Sequence, residues 1–115
     1  MSEIHIDREV LSDLQEVMED GYLYLLDTFL DDSEKRLSQL HEAKSADELA
    51  HAAHSFKGSS SNMGAVALAE LCRQLEDRVA HGPLQGIEDL INQIDHEYAM
   101  VRQLYGDERQ RVSIG

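Results

Sequence analysis

Residues 45–64 read SADELAHAAHSFKGSSSNMG, and the way this stretch begins, repeats and stops sets the fold class. Ser45 and Glu48 form an S-x-x-E capping box, in which the serine oxygen accepts from the backbone N–H three residues on and the glutamate reaches back. A helix is therefore predicted over 46–63. Stepping about 100° per residue places Leu49, Ala53, Phe56 and Ser60 on one face, which reads as the core side. Gly64 offers the left-handed backbone that ends many helices.

The same period continues on both sides. Downstream, Leu68, Leu71, Cys72, Leu75 and Val79 predict a helix over 65–81, stopped by Gly82-Pro83. Ile87, Ile91, Ile94, Tyr98 and Val101 predict another over 85–105. Residues 106–115 carry little apolar material and are expected to form a flexible tail. Upstream, Tyr22, Leu26, Phe29, Ser33, Leu37 and Leu40 form one stripe, predicting a long helix over 21–43. A short helix over 7–18 carries Val10, Leu11, Leu14 and Val17 and is broken by Asp20-Gly21. No β-branched alternating run is bounded by hairpin turns. The expected architecture is all-α: an antiparallel up-down four-helix bundle over residues 1–105, with the short N-terminal helix packed as a lid or flank.

A chain of 115 residues has room for one core, since halving it would leave each part too little buried surface. Hydrophobic residues make up 42% and proline occurs once, which excludes long disordered segments. The net charge of −13 repels nucleic acid and anionic membranes, so the expected partner is another protein and the chain is expected to be a monomer. Solubility alone would also account for the acidity. No apolar run approaches a bilayer span, and MSEIHIDREV has neither the basic start nor the apolar core of a signal peptide, so a cytoplasmic location is expected. Cys72 lies in the apolar-periodic run LAELCRQL and reads as a small core residue.

Within the quoted helix, His54 lies about 130° from the centre of the apolar face, and Lys57, Gly58 and Ser61 fall within about 60° of it. An exposed imidazole with an unperturbed pKa near ~6.5 is largely neutral at pH 7 and keeps a ring nitrogen free to attack phosphorus. Lys57 is placed to neutralise incoming phosphoryl oxygens. Gly58 stands inside a helix, where glycine costs roughly 0.5–1 kcal/mol relative to alanine. Clearance for an approaching protein is one reason for it; close helix packing, or a kink with Ser59-Ser60-Ser61, is another. A histidine with a lysine at i+3 also fits a plain solvated face, so spacing alone leaves the choice open.

The run His54-Ser55-Phe56-Lys57-Gly58-Ser59-Ser60, then Met63-Gly64-Ala65, Leu68, Leu71-Cys72 and Leu75-Glu76, closely resembles the histidine-phosphotransfer (HPt) domain pattern H-x-x-K-G-[SA]-[SA]-x-x-x-G-[AL]-x-x-L-x-x-L-C-x-x-L-E. The resemblance covers the chain apart from its tail and implies a four-helix bundle acting as a free-standing phosphoryl carrier. It implies that His54 accepts a phosphoryl group from the aspartyl phosphate of a receiver domain, in a hybrid sensor kinase, and passes it to the receiver of a response regulator. The position of Lys57 supports the phosphate, and that of Gly58 leaves room for it. Glu76 matches a position where a glutamine or glutamate often lies near the imidazole, where it can hold Nδ1–H and leave Nε2 reactive; Gln74 competes for that part. There is no glycine-rich nucleotide loop, so autokinase activity is not expected, no cofactor is expected on this chain, and Mg²⁺ would belong to the receiver.

Two other classes of function bear on the same residues. Glu48-Leu49-Ala50-His51 is an E-x-x-H of the kind used in di-iron bundles, but no second histidine has a glutamate three residues before it. A non-catalytic adaptor would use the bundle surface alone, and the joint presence of His54, Lys57 and Gly58 argues against it.

Overall fold

The computed structural model describes residues 4–114. Five α-helices follow in order: α1 (Arg8–Met18), α2 (Tyr22–Glu42), α3 (Ala46–Asn62), α4 (Val66–His81) and α5 (Ile87–Ile114), with a single 3₁₀ turn at Glu19–Gly21 between the first two. Helices α2 to α5 pack in a ring in which each touches two neighbours, α2 on α3, α3 on α4, α4 on α5 and α5 on α2. Short connections between long helices force consecutive members antiparallel, which makes this the expected up-down bundle.

Each boundary has a local cause. Asp7 caps α1 by accepting from Glu9 N–H at 3.0 Å, and Ser45 caps α3 by accepting from Glu48 N–H at 3.1 Å. Glu48 Oε2 also accepts from the Ser45 hydroxyl at 3.3 Å, so the reciprocal contact is made to the side chain and not to the Ser45 backbone N–H that a full capping box uses. Helix α4 ends at Gly82, whose positive φ of 62° turns the chain while its N–H bonds Arg78 C=O at 2.7 Å. Gly64 is required twice over: its φ is +78°, and a Cβ there would meet the Asp7 carbonyl at 3.0 Å and Val10 Cβ at 3.1 Å. The close approach lets Asp7 N–H donate to Gly64 C=O at 2.7 Å, docking the start of α1 onto the α3–α4 turn.

Tyr22, Leu26, Phe56, Leu68, Leu75, Ile94, Val101 and Tyr105 are fully buried on the facing stripes, and each large apolar side chain removed from water contributes about 1.5–3 kcal/mol. Phe29 packs on Tyr105 with ring centroids 5.1 Å apart, and Phe56 meets Tyr98 edge to face at 6.4 Å. Cys72 is buried among them, as its periodicity predicts. Two expectations need correction. Val17 is 79% exposed, so the apolar stripe of α1 ends at Leu14. The larger correction concerns residues 106–114, which are the last turns of α5 and not a loose tail.

That extension is held by polar contacts, which a count of apolar residues does not register. Glu108 is buried and accepts from Tyr22 Oη at 2.8 Å and from Arg111 Nε at 3.0 Å and Nη2 at 2.8 Å. Arg111 also donates to Gln15 Oε1 of α1 at 3.2 Å, and Arg109 Nε lies 2.6 Å from Asp27 of α2. The 28 residues of α5, at 1.5 Å each, are about 42 Å long and account for most of the 47 Å long axis.

Candidate functional site

Helices α3 and α4, joined by the Gly64 turn, carry the site between them. The core face of α3 is set by Ala53, Phe56 and Ser60, all buried, and this turns His54 outward with its side chain 65% exposed. On α4, Leu68, Cys72 and Leu75 point into the core, which leaves Glu76 half-buried at the seam facing α3. Its carboxylate joins the two helices: Oε2 lies 2.7 Å from His54 Nδ1 and Oε1 lies 2.6 Å from Lys57 Nζ.

This bridge determines the protonation pattern. The Lys57 hydrogen bond, aided by that of His54, lowers the Glu76 carboxyl below the ordinary carboxylate range despite partial burial. An ionised carboxylate only accepts, so Nδ1 carries the proton and Nε2 of the neutral ring keeps its lone pair. Nε2 has no hydrogen-bond partner among the described residues. One turn further along α3, Gly58 is exposed, and a Cβ built there meets nothing within 4 Å. Packing and positive φ are thus both absent as reasons for this glycine, in contrast to Gly64.

The four residues singled out in the sequence, His54, Lys57, Gly58 and Glu76, are brought to one surface. Lys57, expected to neutralise incoming phosphoryl oxygens, rests with its ammonium on Glu76. Gln74 is turned away, donating to Glu70 at 3.1 Å, and so does not compete for the ring. Cys72 lies behind the site; burial pushes its thiol up to about 12, with the Glu76 charge adding to the effect, so it stays protonated at neutral pH. His51 of the E-x-x-H motif is exposed, and among the described residues no three His, Cys, Asp or Glu side chains converge as metal ligands. No described helix is long and apolar enough to cross a membrane.

The family model for the Hpt domain matches residues 25–104. The chain belongs to the Hpt family. The match runs from Leu25 in α2 to Leu104 in α5, and α1, the start of α2 and the end of α5 lie outside it. Among solved structures, the crystal structure of histidine-containing phosphotransfer protein B (HptB) from Pseudomonas aeruginosa PAO1 is 55% identical, with a TM-score of 0.90 over 96% of this chain and 98% of that one. A structure from rice, assigned to the histidine-containing phosphotransfer proteins, is 19% identical with a TM-score of 0.81 over 92% of this chain and 80% of that one, a likeness of fold. No curated protein sequence matches the chain. The Hpt chain is accordingly a phosphoryl carrier of the phosphorelay kind, and its partners are of the receiver-domain kind.

Proposed function

We propose that His54 is the phosphoryl acceptor, that reaction occurs at Nε2, and that Glu76 and Lys57 position and compensate the charges of the transfer. One observation carries this reading: Nδ1 is tied to an ionised carboxylate while Nε2 is unpartnered on an exposed face beside Gly58.

The chemistry balances without a cofactor on this chain. The Nε2 lone pair attacks the phosphorus of a receiver's aspartyl phosphate, the N–P bond forms, and the P–O bond breaks with its electron pair returning to the aspartate carboxylate. The ring keeps its Nδ1 proton and becomes an imidazolium, whose positive charge Glu76 offsets at 2.7 Å. Lys57, 2.6 Å from the same carboxylate, is within a side-chain rotation of presenting its ammonium to the phosphoryl oxygens. Transfer onward reverses the step: an acceptor aspartate attacks phosphorus and the N–P electrons return to Nε2. Mg²⁺, where needed, is held by the receiver.

On this reading the donor is the receiver of a hybrid sensor kinase and the recipient that of a response regulator. The chain has no autokinase activity and works as a cytoplasmic monomer, consistent with a net charge of −13 that disfavours self-association. The test is incubation with phosphorylated receiver domains followed by ³¹P NMR of the labelled chain. An acid-labile phosphoramidate on Nε2 of His54 is expected; label at Nδ1, or on another residue, refutes the assignment.

A further inference from the structure

Beside Lys57 the α3–α4 seam opens into a depression of 240 Å³ lined by Lys57, Ser61, Val66, Ala69, Glu70 and Arg73. Arg73 stands one helical turn before Glu76 on α4, so the cation and the bridging carboxylate share one side of the helix. Of ten Lys and Arg side chains in a chain of net charge −13, Lys57 and Arg73 are the two that line this depression. The other cation of the hairpin, Arg78, is turned to the α4–α5 connection, where it donates to Gln85 C=O at 2.8 Å.

Arg73 is held by one carboxylate. Its Nε lies 2.8 Å from Glu70 Oε1 and its Nη2 2.6 Å from Glu70 Oε2, a fork on fork. Both residues are about half exposed, so the fork is open to solvent and an incoming carboxylate of the same planar geometry can take the place of Glu70. The guanidinium holds the Glu70 carboxyl down to about 2, so both partners stay ionised across any neutral assay range. Val66, 38% exposed at the rim of the depression, adds an apolar contact next to the charge.

We propose that Arg73 is a partner-docking residue of the phosphotransfer surface, exchanging Glu70 for a carboxylate at the edge of the incoming receiver's acidic phosphoryl site. This deepens the reading of His54 as acceptor and rests on it. An aspartyl phosphate is a concentrated anion, and a chain this acidic repels it over most of its surface. Lys57 and Arg73, paired with Glu76 and Glu70, make the patch next to the imidazole locally neutral in an acidic chain, and each cation is released to an incoming anion when its carboxylate is exchanged. Because Arg73 acts at the edge, it governs encounter and affinity and leaves the N–P chemistry to His54, Lys57 and Glu76.

The test uses the full chain and whichever phosphorylated receiver domain labels the wild type fastest, with transfer followed in single turnover against receiver concentration and salt. Arg73→Ala should raise the half-saturating receiver concentration about five- to tenfold at low salt, with the maximal transfer rate within about twofold, and Arg73→Glu should raise it further. Arg73→Lys should recover part of the loss, keeping the charge without the fork. Glu70→Ala, which frees the guanidinium, should lower the half-saturating concentration. Dependence on ionic strength should be shallower in Arg73→Ala than in wild type. A half-saturation indifferent to Arg73→Ala and Arg73→Glu, or a defect confined to the maximal rate or tracking a fall in Tm, overturns this inference alone. Failure of every receiver to label the wild-type chain overturns the acceptor reading and this inference with it.

Discussion

Glu76 holds the Lys57 ammonium at 2.6 Å with one carboxylate oxygen and the His54 ring at 2.7 Å with the other. A single side chain on α4 thereby sets the tautomer of the imidazole and the resting position of the only cation one turn from it on α3. On the proposed reading of phosphotransfer the three act as one unit, whose deletions will not add.

Glu76→Gln separates geometry from charge. The amide oxygen can still accept from Nδ1–H, so label should remain on Nε2, but the compensating negative charge is gone and transfer should slow about tenfold, equivalent to about 1.4 kcal/mol of transition-state stabilisation. Glu76→Leu, which removes the acceptor as well, should slow transfer further and allow label at Nδ1. Single-turnover rates and ³¹P NMR of both variants check this, and a Glu76→Leu protein with wild-type rate and regiochemistry would refute the positioning role.

His54→Gln should abolish acid-labile label altogether. The remaining histidines, His5, His41, His51, His81 and His96, lack the pairing with a carboxylate and lysine together: His5 is bonded to Glu97 through Nδ1 at 2.7 Å, and His41 to Asp95 through Nε2 at 2.8 Å. Radiolabelling followed by acid treatment distinguishes the outcomes.

Lys57→Ala should slow transfer or shorten the lifetime of the phosphohistidine, since the cation available to the phosphoryl oxygens is lost. Its effect on unfolding should stay within about 1 kcal/mol, because the pair with Glu76 lies at a solvent-washed seam. Equal losses in both measurements would instead mark a structural lysine.

Gly58 gives the sharpest contrast between fold and function. A Cβ there touches nothing and the backbone is ordinary helix, so Gly58→Ala should raise stability by up to about 1 kcal/mol. Transfer should nevertheless weaken, and Gly58→Gln should melt near the wild type while transferring slowly or not at all. Melting curves and receiver-transfer rates on the same proteins decide it; a Gln variant that melts early and transfers normally when folded refutes clearance.

Glu108→Gln probes the end of α5 and its pH dependence. The carboxyl is held below its usual range chiefly by Arg111, with Tyr22 adding to the shift against burial, so its folded pKa lies under the unfolded value of about 4.3. A depressed pKa stabilises the fold above the unfolded value and loses that contribution as pH falls through the folded one. Wild type should exceed Glu108→Gln by about 1–3 kcal/mol at pH 7, and the gap should close in acid. Chemical denaturation at a series of pH values measures it; a gap independent of pH would exclude the ionic anchor.

The sequence by itself determined the helices, their order and the core faces, because apolar spacing, the Ser45 cap and the Gly64 and Gly82 stops are local and each acts within a turn or two. It also determined that His54 faces outward with Lys57 and Gly58 beside it, since residues three and four apart share a helix face whatever surrounds them. Tertiary structure alone decided three things. The Glu76 bridge to both His54 and Lys57 depends on how α4 is rotated against α3, which no spacing within one helix encodes. The Glu70–Arg73 pair is local, but its place beside Lys57 is set by the same packing. The last turns of α5, expected to be loose, are ordered because Glu108, Arg109 and Arg111 find partners 82 or more positions away in α1 and α2. Polar contacts of that range leave no period in the sequence, so burial of a charged residue such as Glu108 is legible only once the partners have been brought together.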